Sequence, residues 1–418
     1  MSDQAGSRKA ESGQVLVIVA VGLVVLIAMV GLVVDGGYAW AKQRDTQNAA
    51  DASAEAGAVV MAERLAGINR TDAEVWTAVQ NTGDANGLPP AGAPAVDPTR
   101  DCHNGQAPDG DKPGICAYYA DISGDLVLDG NGDTVAVGSL GAPPPPAGAA
   151  GVRAFGRQRF NTFLMRVIGF ETLSTTAPAT AVAGYVTELC PASLGCAVIP
   201  VTFPVTTVTC DGTGSAVLGS SNYQKNTPDP YVIPLCKNNP GNVGWIDWDP
   251  PAGGTAELEQ SILHPDNPDI PVPSWQYVTS TGNVNALMIE NALNTYAGQT
   301  VLIPQFDATC NTKPVGAESD PNYGCPQGNL GGNGQNQWYH LPQFAAFQFC
   351  GGTPNVCAGT PYTQGAYVNG NNSAICDTGN GATSCLVGRF IDFLVNTTVT
   401  GNVGANSNTG LLGVQLIK

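Results

Sequence analysis

The chain has 418 residues, of which 17 are Lys or Arg and 34 are Asp or Glu, so its formal net charge at pH 7 is −17. This balance argues against nucleic acid as a partner, because binding it requires an excess of basic side chains that displace counterions. Hydrophobic residues make up 43% of the chain, which is enough for a core and argues against global disorder. Charged residues are only 12%, a low fraction that is often found in proteins outside cells.

The most apolar segment lies near the N-terminus. Residues 15–34 contain no charged side chain, and a helix of this length matches the roughly 30 Å of hydrocarbon in a bilayer. We predict a transmembrane helix over 15–34, preceded by a cytoplasmic tail over 1–14. Two alternatives stay open: signal peptidase cleavage after Ala41, although the apolar run is longer than a signal core, and prepilin peptidase cleavage at the Gly6 to Glu11 segment.

The segment after the apolar run has the composition of a helix. Tyr38 to Leu65 contains no proline and many strong helix formers, so the membrane helix is expected to continue out of the bilayer. A capping-box pattern from Thr71 to Glu74 predicts a second helix, and residues 35–82 are assigned to these stalk helices. A stripe of small and apolar side chains recurs at helical spacing and predicts a packing face, with Ser53 off it and facing water; its members are Ala49, Ala52, Ala56, Val59 or Val60, Met61 and Leu65.

The order of motifs in this N-terminal region resembles one family. Gly13-Gln14 precedes the apolar run, an acidic residue ends it, and a Q-N-A-A-D-A block and a glycine follow; these residues are Asp35, Gln47, Asn48, Ala49, Ala50, Asp51, Ala52 and Gly57. The pattern resembles the N-terminal module of Tad/Flp pilus-assembly proteins of the TadE/TadG-like type. The resemblance implies a pilin-like stalk helix packed on a small antiparallel sheet, and other pilus-assembly or pilin-like subunits as partners.

All 12 cysteines lie between Cys102 and Cys385, and no C-x-x-C motif occurs. An even count in a chain of low charge favours disulfides formed in an oxidising compartment, which places the C-terminal side outside the cytoplasm. Many pairings and free buried cysteines remain alternatives. The pairs that could each close a short loop are Cys190 with Cys196, Cys350 with Cys357, and Cys376 with Cys385.

These patterns together predict an α+β fold. A transmembrane helix continues into a long stalk helix on a small antiparallel sheet, and a disulfide-bonded β-rich domain follows. We assign 83–116 to a linker, 117–187 to a pilin-like β body and 188–418 to a Cys-rich β-rich ectodomain. Strands are expected at 117–120, 126–128, 134–137 and 182–186, helical turns at 163–168, and helices at 256–263 and 283–296.

Candidate catalytic residues are scarce. The chain has no H-E-x-x-H, no G-x-S-x-G and no phosphate-binding loop, and its three histidines have no evident catalytic partner. We therefore predict a non-enzymatic protein with no cofactor and no small-molecule substrate. The alternative is a membrane-tethered glycan-active enzyme, since Asp247 and Asp249 on a strand would lie about 7 Å apart on one face. A solvated strand face explains the same pattern.

One acidic loop is a candidate calcium site. Asp129, Asn131 and Asp133 alternate as in the opening of a calcium loop, but Thr134 and Leu140 stand where that loop requires Gly and Glu. A hairpin turn explains the pattern without a metal, so no metal site is predicted. The expected protein is thus a single-pass envelope protein whose ectodomain contacts pilus subunits, the wall or a surface; a secreted structural protein released after Ala41 is the remaining alternative.

Overall fold

The fold is α+β, as predicted, and the chain divides into two compact units. A computed structural model describes residues 8–88, 96–110, 112–211, 216–236, 244–248, 254–278, 287–315, 324–326, 337–360, 366–369, 376, 382–396, 403–404 and 411–417. The first unit comprises residues 1–182 with 416–418, and the second comprises residues 183–415.

The first unit begins with one helix, α1 (Arg8–Leu65), of 58 residues. Its apolar part has a mean hydropathy of 3.3, and among the described residues it is the one helix long and apolar enough to cross a membrane. Most side chains between residues 15 and 34 are exposed, which suits a segment whose solvent is lipid. The expected continuation of the apolar helix into a stalk is confirmed, since α1 has no break between the two.

A second helix, α2 (Asp72–Ala85), starts with the predicted capping box. The Glu74 amide donates to the Thr71 hydroxyl, and the Thr71 amide donates to the Glu74 carboxylate at 2.7 Å. The Asp72 carboxylate is fully buried and accepts the Tyr119 hydroxyl at 2.6 Å together with three backbone N–H groups from residues 138–141. Because its partners are Tyr119 and the 138–141 loop, Asp72 ties the start of α2 to both.

Three strands of the first unit pair antiparallel in the order β1 (Gly114–Ala120), β2 (Gly151–Asn161) and β3 (Thr172–Val186), and the last residues of β3 belong to the second unit. Strands β2 and β3 form a hairpin with Asn161 opposite Thr172, closed by a 3₁₀ turn at Met165–Ile168. The strands expected at 126–128 and 134–137 are absent from the described residues as strands; only isolated bridges such as Leu128 to Thr134 occur there. Tight aspartate loops flank 126–128 on both sides and leave too few residues for a ladder.

The buried face of α1 differs from the predicted stripe. Ala52 and Ala56 are only half-buried, whereas Ser53 is fully buried, so the expectation that Ser53 faces water was wrong. The reason is that α1 packs against β2 on one side and α2 on another, which widens and rotates the buried arc. Small residues and one methionine fill that arc: Ala49, Ala50, Ser53, Ala54, Gly57, Ala58, Met61 and Ala62.

The second unit is built mainly of short strands. In chain order they are β4 (Glu188–Leu189), β5 (Val201–Pro204), β6 (Thr206–Cys210), β7 (Ala216–Asn222), β8 (Tyr231–Cys236), β9 (Gly244–Trp245), β10 (Ile270–Pro271), β11 (Ser274–Val278), β12 (Thr300–Phe306), β13 (Ala308–Cys310), β14 (Gln337–Leu341), β15 (Gln343–Phe349), β16 (Tyr367–Asn369), β17 (Ala382–Ile391), β18 (Phe393–Asn396), β19 (Val403–Gly404) and β20 (Leu411–Ile417).

Most of these strands belong to four sheets. The largest has the order β16-β17-β15-β12-β5-β9, with β8 also paired to β17. The smaller sheets are β11-β14-β13, β10-β4 and β6-β7. Strands β18 and β20 pair in parallel.

Two helices cover the large sheet of the second unit, α3 (Thr255–Leu263) and α4 (Leu287–Asn294), as the sequence predicted; residues 283–286 lie outside the described residues. The core beneath them centres on edge-to-face contacts of Phe347 with Phe203 and Phe390, at ring-centroid distances of 5.2 and 5.0 Å. Such pairs add about 0.5–1.5 kcal/mol each beyond their area burial.

Disulfides lie in both units. The structure joins Cys190 to Cys196, Cys350 to Cys357 and Cys376 to Cys385, the three pairs favoured by their short spacing. Two further bridges, Cys102 to Cys116 and Cys310 to Cys325, span 14 and 15 residues. Every cysteine whose side chain is described is disulfide-bonded.

Candidate functional site: the anchor helix and its hairpin

The β2–β3 hairpin is bonded to α1 through an acidic side chain. Asp35, the residue that ends the apolar run, is 1% exposed. Its Oδ1 accepts the amide of Phe163 at 2.7 Å, and its Oδ2 accepts those of Leu164 and Met165 at 2.9 and 2.6 Å. These amides open the 3₁₀ turn and have no partner within it, so Asp35 acts as the turn's N-terminal cap from another element.

Close packing accompanies this cap. A Cβ atom added at Gly31 would lie 2.9 Å from the Leu164 Cβ, so the glycine leaves room for that side chain against α1. One turn beyond Asp35, the Tyr38 ring packs edge-on against Phe160 and Phe163, at centroid distances of 5.2 and 5.3 Å. The residues that close the hairpin, 162–171, are called the hairpin tip below. The tip is thus held against residues 31–38 of α1.

Polar contacts continue along the stalk toward its C-terminal end. Gln43 donates to the Thr176 carbonyl at 3.1 Å, and Gln47 donates to the Pro178 carbonyl at 3.0 Å. Between them, the Thr46 and Thr175 hydroxyl oxygens lie 2.8 Å apart in a buried hydrogen bond. Strand β3 therefore runs beside the helix, with side chains of α1 bonding its backbone.

The alanine-rich block of α1 supplies close contact instead of polar bonding. A Cβ at Gly57 would lie 2.8 Å from Val152 of β2 and 2.9 Å from Val79 of α2, so this glycine lets α1 approach both elements. Ala49 and Ala50 are fully buried, Asn48 is exposed, and Asp51 accepts a hydrogen bond from Gln47 at 2.7 Å. The buried motif residues thus pack the helix against its neighbouring elements.

The acidic loop at Asp129 is a turn in this structure. Its Oδ1 accepts the amides of Asn131 and Asp133 at 2.8 and 2.9 Å, so backbone donors occupy an oxygen that a metal would need. The Asp121 loop repeats the geometry, with its Oδ1 accepting the amides of Ser123 and Asp125 at 2.9 Å each. No group of three His, Cys, Asp or Glu side chains within the described ranges could hold a metal ion.

The candidate carboxylate pair of the second unit is described only in part. Asp247 is buried, and its amide donates to the Tyr277 carbonyl at 3.1 Å beside the Ile246 to Val278 bridge. Asp249 lies outside the described residues, so the predicted spacing of the pair stays a prediction. His340 is buried, with its Nδ1 2.6 Å from the Asp307 carboxylate and its ring beside Trp275, which is the packing of a core-edge histidine.

The sequence did not predict which groups the carboxylates of Asp35 and Asp72 bind. Asp72 carries a local signal, as an acidic residue in the first turn of a helix, but its partners lie 47 to 69 residues away. The contacts of Asp35 are still more distant, at 128 to 130 residues. Neither set of partners can be found from spacing, because the pairing depends on where the hairpin lies against α1.

Comparison with known proteins identifies the N-terminal region. A family model described as Putative Flp pilus-assembly TadE/G-like matches residues 13–60, which cover the apolar run, Asp35 and the alanine-rich block. Neither the curated proteins nor the solved structures gave a match to the chain. The resemblance noted from the motifs is therefore confirmed for this segment: residues 13–60 are similar to the TadE/G-like family.

Proposed function

We propose that this protein is a non-enzymatic, membrane-anchored component of Tad/Flp pilus assembly in a bacterial envelope. Its N-terminus lies in the cytoplasm, and its disulfide-bonded β-rich ectodomain makes contacts with pilus subunits, the cell wall or a surface. The observation that carries the proposal is the continuity of α1, which runs without a break from the apolar span through the segment that matches the family.

The mechanism is mechanical. A helix of 58 residues is roughly 87 Å long at about 1.5 Å per residue, so α1 reaches well beyond a bilayer. Along its outer part it is fastened to the hairpin at Asp35, Thr46 and Gln47, and packed closely at Gly57. A load applied to the sheet of the first unit passes through these contacts into the anchor.

Support for a non-enzymatic role comes from the packing of the candidate groups. Asp129 accepts backbone amides of its own turn, and His340 is buried, with 2% of its surface exposed, so neither is open to a substrate. Hydrolysis of a panel of wall and surface glycans by the purified protein, lost on Asp247→Asn substitution, would contradict this part of the proposal.

Deletion of the gene in its own bacterium tests the assembly role. We expect fewer surface pili by electron microscopy, or weaker surface attachment, and recovery with the wild-type gene. Gly57→Leu should fail to restore either property, because the added side chain would meet Val152 and Val79, whereas Gly37→Ala should restore both, since no atom lies within 4 Å of a Cβ there. Unchanged piliation and attachment in the deletion strain would refute the proposal.

A further inference from the structure

The hairpin tip exposes two large aromatic side chains. Phe163 is 59% exposed and Phe170 is 54% exposed. Single exposed apolar side chains are common on protein surfaces and need no explanation. Because two exposed phenylalanines share this short turn, the position of the turn along α1 decides what they can contact.

The contacts with α1 locate the tip along the helix. The Leu164 side chain lies against Gly31, and the first amides of the turn are bonded to Asp35. Gly31 is three residues before the end of the apolar run and Asp35 is the residue after it, so the tip lies beside its last turn, a length of about 5.4 Å. In a membrane, the tip would therefore lie at nearly the same depth as the C-terminal end of the span.

The composition of the tip fits the boundary between hydrocarbon and headgroups. Residues 163–170 read FLMRVIGF, in which one residue, Arg166, is charged, and its side chain is exposed. On the neighbouring turns of α1, Tyr38 packs on Phe163, and Trp40 is 64% exposed. Aromatic side chains with nearby basic groups are typical of this boundary.

We propose that the hairpin tip is a membrane-contact site, which places Phe163 and Phe170 in the lipid interface on the ectodomain side, with Arg166 at the level of the lipid phosphates. The occupant of this apolar surface is lipid because the surface is continuous with the span: Leu164 contacts the apolar run itself. The hairpin then gives the protein a second point of attachment and fixes the direction in which α1 leaves the bilayer. This inference rests on the membrane anchor of the proposed function.

Site-specific photo-cross-linking in nanodiscs tests the inference with the full chain. The photoreactive residue p-benzoylphenylalanine replaces, one at a time, Phe163, Phe170, Val25 within the span, and Leu128. The discs hold phosphatidylethanolamine and phosphatidylglycerol with one protein copy each, and lipid adducts are counted by mass spectrometry. Leu128 is 57% exposed and lies two residues after Leu126, which bridges to Ala120 at the end of β1. Ala120 pairs with Gly151, which is about 33 Å along β2 from the tip, so Leu128 is an exposed control far from the tip.

Lipid adducts at Phe163 and Phe170 that approach the yield at Val25 and exceed the yield at Leu128 several-fold would support the proposal. Adducts at Val25 alone would overturn it while leaving the membrane anchor intact. Adducts from the tip to a second protein molecule would likewise overturn it in favour of a subunit contact. Absence of lipid adducts at Val25 would show that the anchor itself is wrong, and the inference would fall with it.

Discussion

Two buried carboxylates of the first unit serve as acceptors for backbone amides. Asp35 takes three amides from the hairpin tip, and Asp72 takes three amides and the Tyr119 hydroxyl. Burial, together with the hydrogen bond to the Asp72 carboxylate, raises the pKa of Tyr119 well above its usual value. In both places a single acidic side chain accepts hydrogen bonds from donors that have no partner within their own loop, so each side chain fixes a loop to a helix.

Replacing Asp35 should release the hairpin tip. In Asp35→Ala the three amides lose their acceptor, and we expect amide hydrogen exchange at residues 163–165 to accelerate roughly tenfold or more, because bonds to a charged acceptor are strong. Hydrogen-exchange mass spectrometry of the protein in nanodiscs measures this. The control is Asp45→Ala, which removes an exposed pair with Lys42 at 3.4 Å and should leave exchange at the tip unchanged. Equal exchange in both variants would mean that Asp35 does not hold the tip.

Acid should weaken the loop around the Cys102 to Cys116 disulfide. A hydrogen bond from the Lys112 ammonium and one from the Asp97 amide hold the pKa of Asp101 below its usual value near 3.8. Because the folded-state pKa is the lower one, this carboxylate stabilises the fold at pH values above about 3.8 and loses that contribution as the pH falls through its folded-state pKa. The thermal midpoint of Asp101→Asn should therefore depend less steeply on pH below about 4 than that of the wild type. Parallel profiles for the two proteins would contradict this.

At the scale of elements, short sequence patterns predicted the helices, because each pattern involves only neighbouring residues. The apolar run, the lack of proline and the Thr71 capping box predicted α1 and the start of α2, because each involves residues within one or two turns. The buried face of α1 was predicted only in part, since a helix covered by a sheet and a second helix has a wider buried arc than one covered by a single partner. Ser53 illustrates this: it is buried opposite Gly83 of α2, which nothing near it in sequence indicates.

The extent of the buried arc of α1 can be tested with substitutions at the adjacent residues Ala52 and Ser53. Ser53→Leu should lower the free energy of unfolding of the first unit by about 1–3 kcal/mol through overpacking against α2, and Ala52→Leu should change it less because Ala52 is half-buried. Ser53→Ala should be neutral or stabilising, since the Ser53 hydroxyl makes no hydrogen bond within the described residues. Thermal or denaturant melts of the three variants measure the order. A larger loss for Ala52→Leu than for Ser53→Leu would contradict the packing described here.

At the scale of the whole molecule, short spacing favoured three disulfide pairs, whereas nothing in the sequence indicated the longer-range pairing. The three bridges that close loops of 6 to 9 residues are the pairs that short spacing favoured among many possible pairings, whereas Cys102 to Cys116 and Cys310 to Cys325 depend on where strands begin. The same holds for the candidate site: its residues stand out in the sequence, but Asp35 finds its partners only once the hairpin is folded against α1. Sheet order in the second unit is likewise set by contacts between distant segments.

The distribution of these bridges predicts the orientation of the chain. All 12 cysteines lie C-terminal to the apolar span, and disulfides persist only in oxidising compartments, so the C-terminal side should lie outside the cytoplasm. Protein from membranes, alkylated under denaturing conditions without reductant, should therefore show few tagged thiols by mass, and reduction should expose all 12. As a control, the chain lacking residues 15–34 and retained in a reducing cytoplasm should be tagged extensively before reduction. Eight or more tags on the membrane protein before reduction would place the β-rich unit on the cytoplasmic side and would remove the basis for its proposed contacts with pilus, wall or surface.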